Sequence, residues 1–365
     1  MIRGNEIVPK RIHTHILVVN PEHPDPDCIE RAAQALRQGQ LVAFPTETVY
    51  GLGAHAGDAA AVRRVFQVKQ RPTSDPLIVH IADTSQLTDI ACNIPDLAWQ
   101  LVQHFWPGPL TLVLPRHERI VAEVSAGLTT VAVRMPQHPV AHALLRAARV
   151  PIAAPSANLF ARPSPTTAQH VLEDLAGQIE LVIDAGATTI GVESTVVDLT
   201  GAVPVVLRPG GVTLEALRAI VPGLAWQARQ VELDHTAGVV APGMFARHYA
   251  PRAEVLLFVG EHEAVLAQMY ETGQRLTAEQ KQVGILAPAE ELAYFAAIAA
   301  DRVALGSRSD LAEIAAHLFA GMRELDRRGV DVILVRSFDQ SGLGLAIWDR
   351  LVRATEGKFI RVAAR

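Results

Sequence analysis

Short apolar runs that are typical of buried strands alternate along this chain with segments that have helical spacing. Between about residues 29 and 210, the strand-like runs include LVAF, PLIVHI, LTLVL, TVAVRM, PIAAP, LVIDAG, STVVDL and PVVLR. Helical patterns such as DAAAVRRVFQVKQ and HPVAHALLRAA lie between several of them. Mixed order of this kind predicts an α/β sheet domain and excludes an all-β barrel.

The alternation resumes at about residue 251, where AEVLLFVG, QVGILAP, DRVALGS and VDVILVRS are strand-like. The helical pattern DLAEIAAHLFAGMRELDRRG lies between the last two runs and keeps one apolar face through Leu311, Leu318 and Leu325. We therefore predict a second, smaller βαβ domain with a parallel sheet.

The length of 365 residues also favours two domains, because one hydrophobic core rarely serves a chain of this size. The stretch between the two regions has no sustained period and contains Gly and Pro, yet it carries reactive side chains such as Tyr249. We predict a first domain over residues 1–220, a linker over residues 221–250 and a second domain over residues 251–365.

The composition limits the classes of partner and compartment. The formal net charge of −5 gives no overall attraction for nucleic acid, so an RNA contact would need a local basic patch. The two cysteines, Cys28 and Cys92, provide neither a disulfide framework nor a metal cluster, which favours a reducing compartment. The apolar run ILVV near the start is too short for a signal sequence or a membrane span. We predict a cytoplasmic protein without a membrane partner.

Two cations stand at the end of one predicted helix. Lys69 follows Val62 by seven residues, so it continues the apolar face to the point where Pro72 ends the helix. Arg71 comes two residues after Lys69. The pair either compensates the helix dipole or forms a phosphate clamp around an anion.

His80 and Arg134 each lie on a predicted strand that is otherwise apolar. His80 shares a face with Ile78 and is either a core histidine with a satisfied ring or a site residue. Arg134 shares a face with Thr130, and a buried guanidinium without a partner is costly. Arg134 therefore meets either an acidic side chain or an anionic ligand.

Polar side chains cluster where predicted strands end, in PTETVYGLG, PSANLFARPSPTT and GVEST, and VLRPGG adds Arg208. In the first cluster, Gly51 and Gly53 would let backbone and ligand approach closely. Such residues are either ordinary turn formers or the wall of a site, because open α/β sheets bind ligands beyond the carboxyl ends of their strands. With the isolated cations, they predict one pocket with a positive interior that suits a ligand bearing phosphate and carboxylate.

The common nucleotide and metal motifs are missing. The sequence has no G-x-x-x-x-G-K-[ST] loop, no complete dinucleotide fingerprint, no H-E-x-x-H and no C-x-x-C. A metal bound by protein side chains is therefore not expected. No residue is an obvious general acid or base, so none is assigned.

Seven motifs occur in order within residues 41–211: FPTETVYGLGAHA, KQRP followed by DPLIVHI, WPGPLTLVL, AGLTTVAVRMPQHP, PIAAPSANLFARPSPT, GVESTVVDL and VLRPGG. With APGMFARHYAP and GLGLAIWDRLVRAT further along the chain, this set resembles the threonylcarbamoyl-AMP synthase family, the YrdC-like proteins in their longer two-domain form. Asp75 stands where the family pattern often has Asn.

The resemblance implies an enzyme that joins L-threonine, CO2 or bicarbonate, and ATP into threonylcarbamoyl-AMP and releases pyrophosphate. A separate transferase complex then passes the threonylcarbamoyl group to an adenosine beside the anticodon of certain tRNAs. The implied fold is a YrdC-type mixed α/β sheet domain with a concave positive pocket, a linker that folds back over this pocket, and a smaller Rossmann-like α/β domain.

The resemblance also implies the site residues. Those for L-threonine are Thr46, His80, Arg134 and Ser194. Those for ATP are Lys69, Arg71, Thr130, Ser156, Asn158, Ser164, Arg208 and Tyr249. Mg2+ is expected on the phosphates, held by ATP and water and by no protein side chain. Catalysis would depend on positioning and charge neutralisation, without a covalent enzyme intermediate.

Two other functions fit parts of the sequence. A concave basic surface could dock double-stranded RNA without any chemistry, although the acidic net charge weakens that interpretation. Related domains also form carbamoyl-adenylates in hydrogenase maturation proteins. Those proteins are normally fused to acylphosphatase and zinc-finger segments, and two cysteines exclude such a finger here.

Overall fold

The computed structural model describes residues 12–226 and 248–363, which form two β-sheets flanked by helices. The helices that accompany the first sheet are α1 (Pro26–Arg37), α2 (Ala59–Lys69), α3 (Leu87–Ile90), α4 (Asp96–Phe105), α5 (Pro139–Ala148), α6 (Ala168–Leu175) and α7 (Leu214–Ile220). Asp58 caps α2 by accepting from the backbone N–H groups of Ala60 and Ala61, as the sequence favours.

The strands of the first sheet are β1 (His15–Val18), β2 (Val42–Phe44), β3 (Gly51–His55), β4 (Ile78–His80), β5 (Leu110–Pro115), β6 (Thr130–Arg134), β7 (Ile152–Ala153), β8 (Leu181–Asp184), β9 (Thr195–Asp198), β10 (Val205–Arg208) and β11 (Ala225–Trp226). Their order across the sheet is β1-β8-β2-β3-β7-β4-β6-β5-β9-β10-β11, with parallel and antiparallel neighbours. Helices α1 and α5 pack on one face, and α2, α4 and α6 pack on the other. The predicted mixed α/β sheet is confirmed.

The second sheet follows along the chain and is parallel throughout the described residues. Its strands are β12 (Glu254–Val259), β13 (Val283–Ala287), β14 (Ala300–Ala304), β15 (Val332–Arg336) and β16 (Ile360–Arg361), in the order β14-β13-β15-β12-β16. The helices are α8 (His262–Ala278), α9 (Leu311–Arg327) and α10 (Gly344–Ala354). Helix α8 covers one face, and α9 with α10 covers the other. The prediction of a parallel α/β sheet is confirmed.

The run Gly51–His55 forms strand β3, antiparallel to β2, where the sequence predicted a turn. A Cβ atom at Gly53 would lie 3.0 Å from Cε1 of Phe44 and 3.1 Å from Cγ2 of Ile152. Gly53 therefore makes room for neighbouring protein side chains and not for a ligand. The sheet also continues into the range predicted as a linker, because β11 pairs with β10. Residues 227–247 of that range lie outside the described residues.

The two sheets share a buried apolar contact. Val49 and Val192, which belong to loops of the first sheet, lie in the same hydrophobic cluster as Ile314 and Leu318 of α9 and Ile347 of α10. Helices α9 and α10 therefore bury apolar surface against both their own sheet and the loops of the other. None of the described helices combines the length and apolar character needed to cross a bilayer.

Candidate active site

A cavity of about 50 Å3 lies where β4 and β6 end, and the loops before β9 and after residue 247 complete its wall. The predicted site residues that line it are Thr46, Arg71, His80, Arg134, Ser156, Ser194, Arg208 and Tyr249. Wall residues that the sequence did not assign are Thr48, Val49, Gly51, Ile78, Ala154, Pro155, Glu193 and His248. Folding thus brings together residues that lie as far apart in the chain as Thr46 and Tyr249.

Arg134 is the last residue of β6 and is almost fully buried. Its Nη1 donates to Oγ1 of Thr48 at 2.8 Å, and its Nε donates to the carbonyl of Gly108 at 3.3 Å. Its Nη2 lies 2.8 Å from Oε1 of Glu47, without the alignment of a hydrogen bond. Of the two partners that the sequence left open, the structure provides the acidic side chain.

The turn after β2 is held by the hydroxyl of Thr46. Its Oγ1 donates to the carbonyl of Val49 at 2.6 Å and accepts from the backbone N–H groups of Thr48 and Val49 at 3.2 Å. The hydroxyls of Thr46 and Thr48 lie 2.8 Å apart. The threonines are therefore turn formers, and through Thr48 the turn also reaches the arginine of β6.

Arg71 pairs with the buried Asp75. Its Nη2 lies 2.8 Å from Oδ2 of Asp75 and donates to the carbonyl of Pro76 at 2.8 Å, while its Nε donates to the carbonyl of Asp75 at 3.2 Å. Burial raises the pKa of Asp75 to about 6, against the lowering effects of Arg71 and Lys69. Burial also lowers the pKa of Arg71, so the pair gains less from its attraction than it loses in hydration.

Lys69 is the last residue of α2 and lies behind the cavity wall. Its Nζ donates to the carbonyl of Ser156 at 2.6 Å and to the carbonyl of Asn158 at 2.5 Å. Burial, and then the charge of Arg71, holds its pKa well below the usual range. These contacts fix the loop after β7 against the end of the helix, and the predicted phosphate contact remains a prediction.

His80 ends β4 and its ring faces the cavity. Nδ1 lies 3.2 Å from the carbonyl of Ile78, and the ring meets that of Phe44 edge-on with centroids 6.3 Å apart. Burial, followed by the charge of Arg134, lowers the pKa of His80 to about 3. The imidazole is therefore neutral near pH 7 and can donate or accept a hydrogen bond, but it brings no charge.

Arg208 ends β10 and holds the strand next to it. Nη2 donates to the carbonyl of Ser194 at 2.9 Å and to its Oγ at 3.2 Å, and Nε donates to the same carbonyl at 3.2 Å. Oγ of Ser194 lies 2.7 Å from Oγ1 of Thr111. The Ser194 hydroxyl is thereby fixed at the cavity surface between an arginine and a threonine.

Glu193 connects the cavity to the second domain. Its Oε1 accepts from the hydroxyl of Ser164 at 2.5 Å, and its Oε2 accepts from Nε of Arg350 at 2.7 Å. Arg350 lies on α10 and is fully buried. Arg350 was not among the predicted site residues, although a cation on the apolar face of a helix is the same signal that Lys69 gives.

Tyr249 and His248 come directly after the undescribed residues and close one side of the cavity. The Tyr249 ring lies 4.0 Å from the His248 ring and 5.3 Å from the Phe319 ring, measured between centroids. Its hydroxyl is buried and has no hydrogen-bond partner among the described residues. Burial, followed by the charge of Arg71, holds the pKa of His248 well below the usual range, so this ring is also neutral.

Four predicted site residues do not line the cavity: Lys69, Thr130, Asn158 and Ser164. Asn158 donates through Nδ2 to the carbonyls of Leu159 and Arg162 and so braces its own loop. Ser164 reaches the wall only through Glu193. Thr130 is at the far end of β6 from Arg134.

The charges at the cavity are more balanced than the cations alone predict. Glu47 faces Arg134, and Asp75 faces Arg71. Among residues 12–226 and 248–363, no group of three His, Cys, Asp or Glu side chains is arranged to hold a metal ion. An incoming anion would therefore compete with carboxylates that the chain itself provides.

Comparison with known proteins gives consistent matches along the chain. A family model described as "Telomere recombination" matches residues 34–210, and one described as "Threonylcarbamoyl-AMP synthase, C-terminal domain" matches residues 212–355. Threonylcarbamoyl-AMP synthase of Pyrococcus abyssi is 46% identical over 92% of this chain and 96% of its own length. The protein of that name from Bacillus subtilis is 45% identical over 91% of this chain and 94% of its own length.

A crystal structure of Pyrococcus abyssi Sua5 complexed with L-threonine superposes with a TM-score of 0.90 at 45% identity. The match covers 96% of this chain and all of the other, 100%. The similarity therefore extends over both sheets.

Proposed function

Since the chain belongs to the threonylcarbamoyl-AMP synthase family, we propose that it joins L-threonine, CO2 or bicarbonate, and ATP into threonylcarbamoyl-AMP and releases pyrophosphate. The observation that carries this proposal is the convergence of Arg71, Arg134 and Arg208 on one cavity. Three guanidinium groups around a single small space suit a ligand pair that carries both a carboxylate and a polyphosphate.

The threonine end of the site is the part around Arg134. Its planar guanidinium can hold a carboxylate with two hydrogen bonds, and the neutral His80 and the hydroxyl of Ser194 lie on the same wall. Short polar groups of this kind match the hydroxyl and amino groups of threonine. A relative that is 45% identical was crystallised with L-threonine, which supports L-threonine as a ligand in this proposal.

The nucleotide end is the part around Arg71 and Arg208, with the hydroxyl of Ser156 and the ring of Tyr249. Lys69 stands behind the loop that carries Ser156. Mg2+ would accompany ATP and neutralise its phosphates. The carboxylates of Asp75 and Glu193 each already face an arginine, which fits an ion held through phosphate and water.

The proposed reaction depends on how the substrates are positioned more than on a general acid or a general base. The amine of threonine adds to CO2, loses a proton and becomes a carbamate, and a carbamate oxygen attacks the α-phosphorus of ATP as pyrophosphate leaves. The arginines neutralise the carboxylate and the phosphates, so that two anions can approach in line. No covalent bond to the protein forms. The product would supply a separate transferase complex that modifies adenosine beside the tRNA anticodon, in the cytoplasm.

The decisive experiment follows pyrophosphate release with ATP, Mg2+, bicarbonate and one amino acid at a time. We expect release with L-threonine and little with L-serine, because serine lacks the methyl group. Arg134→Ala should lower kcat/KM for threonine by about 100-fold or more, as expected when a charge-assisted pair is lost and Glu47 stays buried without a partner. Lys69→Ala should also lower the rate.

Arg336→Ala is the matched control, because it removes an arginine that pairs with Glu291 inside the second domain. It should leave kcat/KM within about threefold of the wild type, as expected for a pair remote from the reacting groups. Equal pyrophosphate release with no amino acid present would contradict the proposal.

A further inference from the structure

Arg350 makes a fully buried contact between the second domain and the cavity wall. It lies on α10, between Ile347 and Leu351, on the face that is otherwise apolar and buried. Its guanidinium leaves that apolar face and reaches loops of the first domain. Placing a fully buried charge there has a large hydration cost, which a chain tolerates when the charge has partners on several sides.

The guanidinium of Arg350 contacts three separate segments of the wall. Nε donates to Oε2 of Glu193 at 2.7 Å, in the loop before β9. Nη2 donates to the carbonyl of Pro209 at 3.1 Å, just after β10. Cζ lies 4.9 Å from the centre of the Tyr249 ring, at a cation–π distance. One side chain therefore joins the two sides of the β9–β10 pair and the chain that follows residue 247.

The charges around Arg350 are balanced within a small cluster. Asp349 accepts from Nη1 of Arg350 at 2.6 Å and from Nε of Arg353 at 3.0 Å, both on α10. Glu193, Tyr249 and Asp349 raise the pKa of Arg350 against the lowering effect of burial, so the side chain stays charged. Without it, the buried carboxylate of Glu193 would keep, among the described residues, the hydroxyl of Ser164 as its hydrogen-bond partner.

We infer that Arg350 is a positioning residue of the active site, supplied by the second domain. It sets the place of the Glu193–Ser194 wall and of the Tyr249 ring relative to each other, and it does not itself line the cavity. This inference rests on the proposed function for its kinetic consequences. It gives the second domain an indirect part in catalysis, through the wall residues that Arg350 positions, beyond covering the apolar loops of the first domain.

The kinetic test uses the full chain with Arg350→Ala and Arg350→Lys. Lysine keeps the charge but loses the fork that joins Glu193 to Pro209. We expect kcat/KM for threonine to fall about 100-fold in Arg350→Ala and about tenfold in Arg350→Lys. Guanidinium chloride at low millimolar concentration should restore part of the activity of Arg350→Ala, because the free cation can occupy the vacated position, whereas the same salt should not raise the wild-type rate.

Arg323→Ala is the matched control, because it removes a buried contact that holds the two domains together without touching the cavity wall. Arg323 is also buried and also bridges the domains, because it donates from α9 to the carbonyl of Pro163 at 2.6 Å and to Oδ2 of Asp174 at 2.7 Å. It does not belong to the cavity wall. We expect Arg323→Ala to lower the thermal midpoint while its kcat/KM stays within about threefold of the wild type.

A second measurement does not depend on what the protein catalyses. Hydrogen exchange of the peptide over residues 190–211, without substrate, should be faster in Arg350→Ala than in Arg323→Ala. If the wild type releases no pyrophosphate with threonine, the proposed function fails. The exchange data alone then decide whether Arg350 positions the cavity wall. Equal kinetic losses in both variants, or unchanged exchange of residues 190–211 in Arg350→Ala, would overturn the inference.

Discussion

Asp75 is a buried carboxyl group beside the cavity residue Arg71, and its pKa is raised towards neutral pH. It is fully buried, and burial raises its pKa to about 6 while Arg71 stands 2.8 Å away. The neutral rings of His80 and His248 do not titrate in the same range, because burial lowers both of their pKa values. The charge that Arg71 offers to an anion therefore depends on the state of one carboxyl group.

Asp75→Asn should strengthen ATP binding at pH 7.5 by about tenfold, because it removes a negative charge a few ångströms from the proposed phosphate site. The gain should shrink as the pH falls towards 5.5, where Asp75 of the wild type takes up a proton. Titration calorimetry of both proteins at several pH values measures this, and protonation of ATP affects both alike. Asp89→Asn makes the same charge change at the exposed pair with Arg119. Binding by Asp75→Asn that is no tighter than by Asp89→Asn would refute the prediction.

The same carboxyl group should make stability depend on pH. The pKa of Asp75 is about 6 in the folded protein and 3.8 for an ordinary aspartate, so the folded protein binds more protons between these pH values. Its free energy of unfolding therefore falls as the pH rises through them. The loss is nearly complete about one pH unit above this folded-state pKa. Relative to the wild type, Asp75→Asn should gain on the order of 1 kcal/mol between pH 5 and pH 7.5. Urea unfolding at the two pH values measures it, and a constant difference would count against it.

At this scale, the sequence predicted the charges and not their partners. Arg134 could be singled out because a cation inside an apolar strand is unusual, and its need for an acid or an anion followed from burial. That the acid is Glu47 depends on how the turn after β2 folds, which local pattern does not specify. Thr48 and Glu193 belong to the predicted polar clusters but received no individual role for the same reason, since each is an ordinary loop residue until the loop is placed beside an arginine.

At the scale of elements, the pair of strands β9 and β10 and the loop before β9 contribute Glu193, Ser194 and Arg208 to the cavity wall. Ser194 precedes β9, Arg208 ends β10, and Gly210 lies two residues further on. A Cβ atom on Gly210 would come closer than 3.0 Å to the backbone of Glu193, Ser194 and Thr195. The two segments therefore cross in direct contact, without space for a side chain at residue 210. The glycine thus determines how the two halves of the wall meet.

Gly210→Ala should displace Ser194 and Arg208 and lower both stability and kcat/KM. We expect a loss of about 2 kcal/mol in the free energy of unfolding, as is typical when an added group meets backbone that cannot move away. Gly201→Ala is the control, because the nearest atom to a Cβ there is the carbonyl oxygen of Val203 at 3.7 Å. Thermal melts and pyrophosphate assays of the two variants give the comparison, and similar results for both would show that the crossing tolerates a methyl group.

Most strands could be predicted because a short apolar run rich in β-branched residues usually forms a buried strand. Strand β3 was missed because GLGAH has two glycines and little β propensity, and it forms through pairing with β2 and packing against Phe44. Strand β11 has only the residues Ala225–Trp226, too few for any periodic signal. Tertiary contacts, which act at long sequence separation, decide both.

At the scale of the whole molecule, the sequence predicted two α/β regions but not how they share a site. The apolar face of α9 was visible in the spacing of its leucines, and spacing shows that a face is buried without showing against what. In the structure, part of that cluster is Val49 and Val192 from the first region. The contribution of Arg350 to the wall is likewise a property of the assembled pair of sheets.

The overall charge leads to a prediction about RNA. Arg71, Arg134 and Arg208 are buried, so the phosphates of a duplex cannot reach them from outside, and the net charge of −5 adds no attraction. We expect a dissociation constant for a 20-base-pair RNA duplex no tighter than about 10 μM at 150 mM KCl, typical of non-specific contact. Filter binding over a range of salt concentrations tests this. Submicromolar, strongly salt-dependent binding without threonine-dependent turnover would favour an RNA-docking protein instead.

The long sequence separation between Glu193 and Arg350 has a consequence for the synthesis of the protein on the ribosome. The two residues are 157 positions apart, so at 5–20 residues per second a ribosome needs roughly 8 to 30 seconds to travel from one codon to the other. Throughout that interval Glu193 has been synthesised and its partner on α10 has not. A nascent chain therefore carries an unfinished wall for many times longer than a small domain takes to fold, and enzymatic competence arrives only with translation of the last long helix.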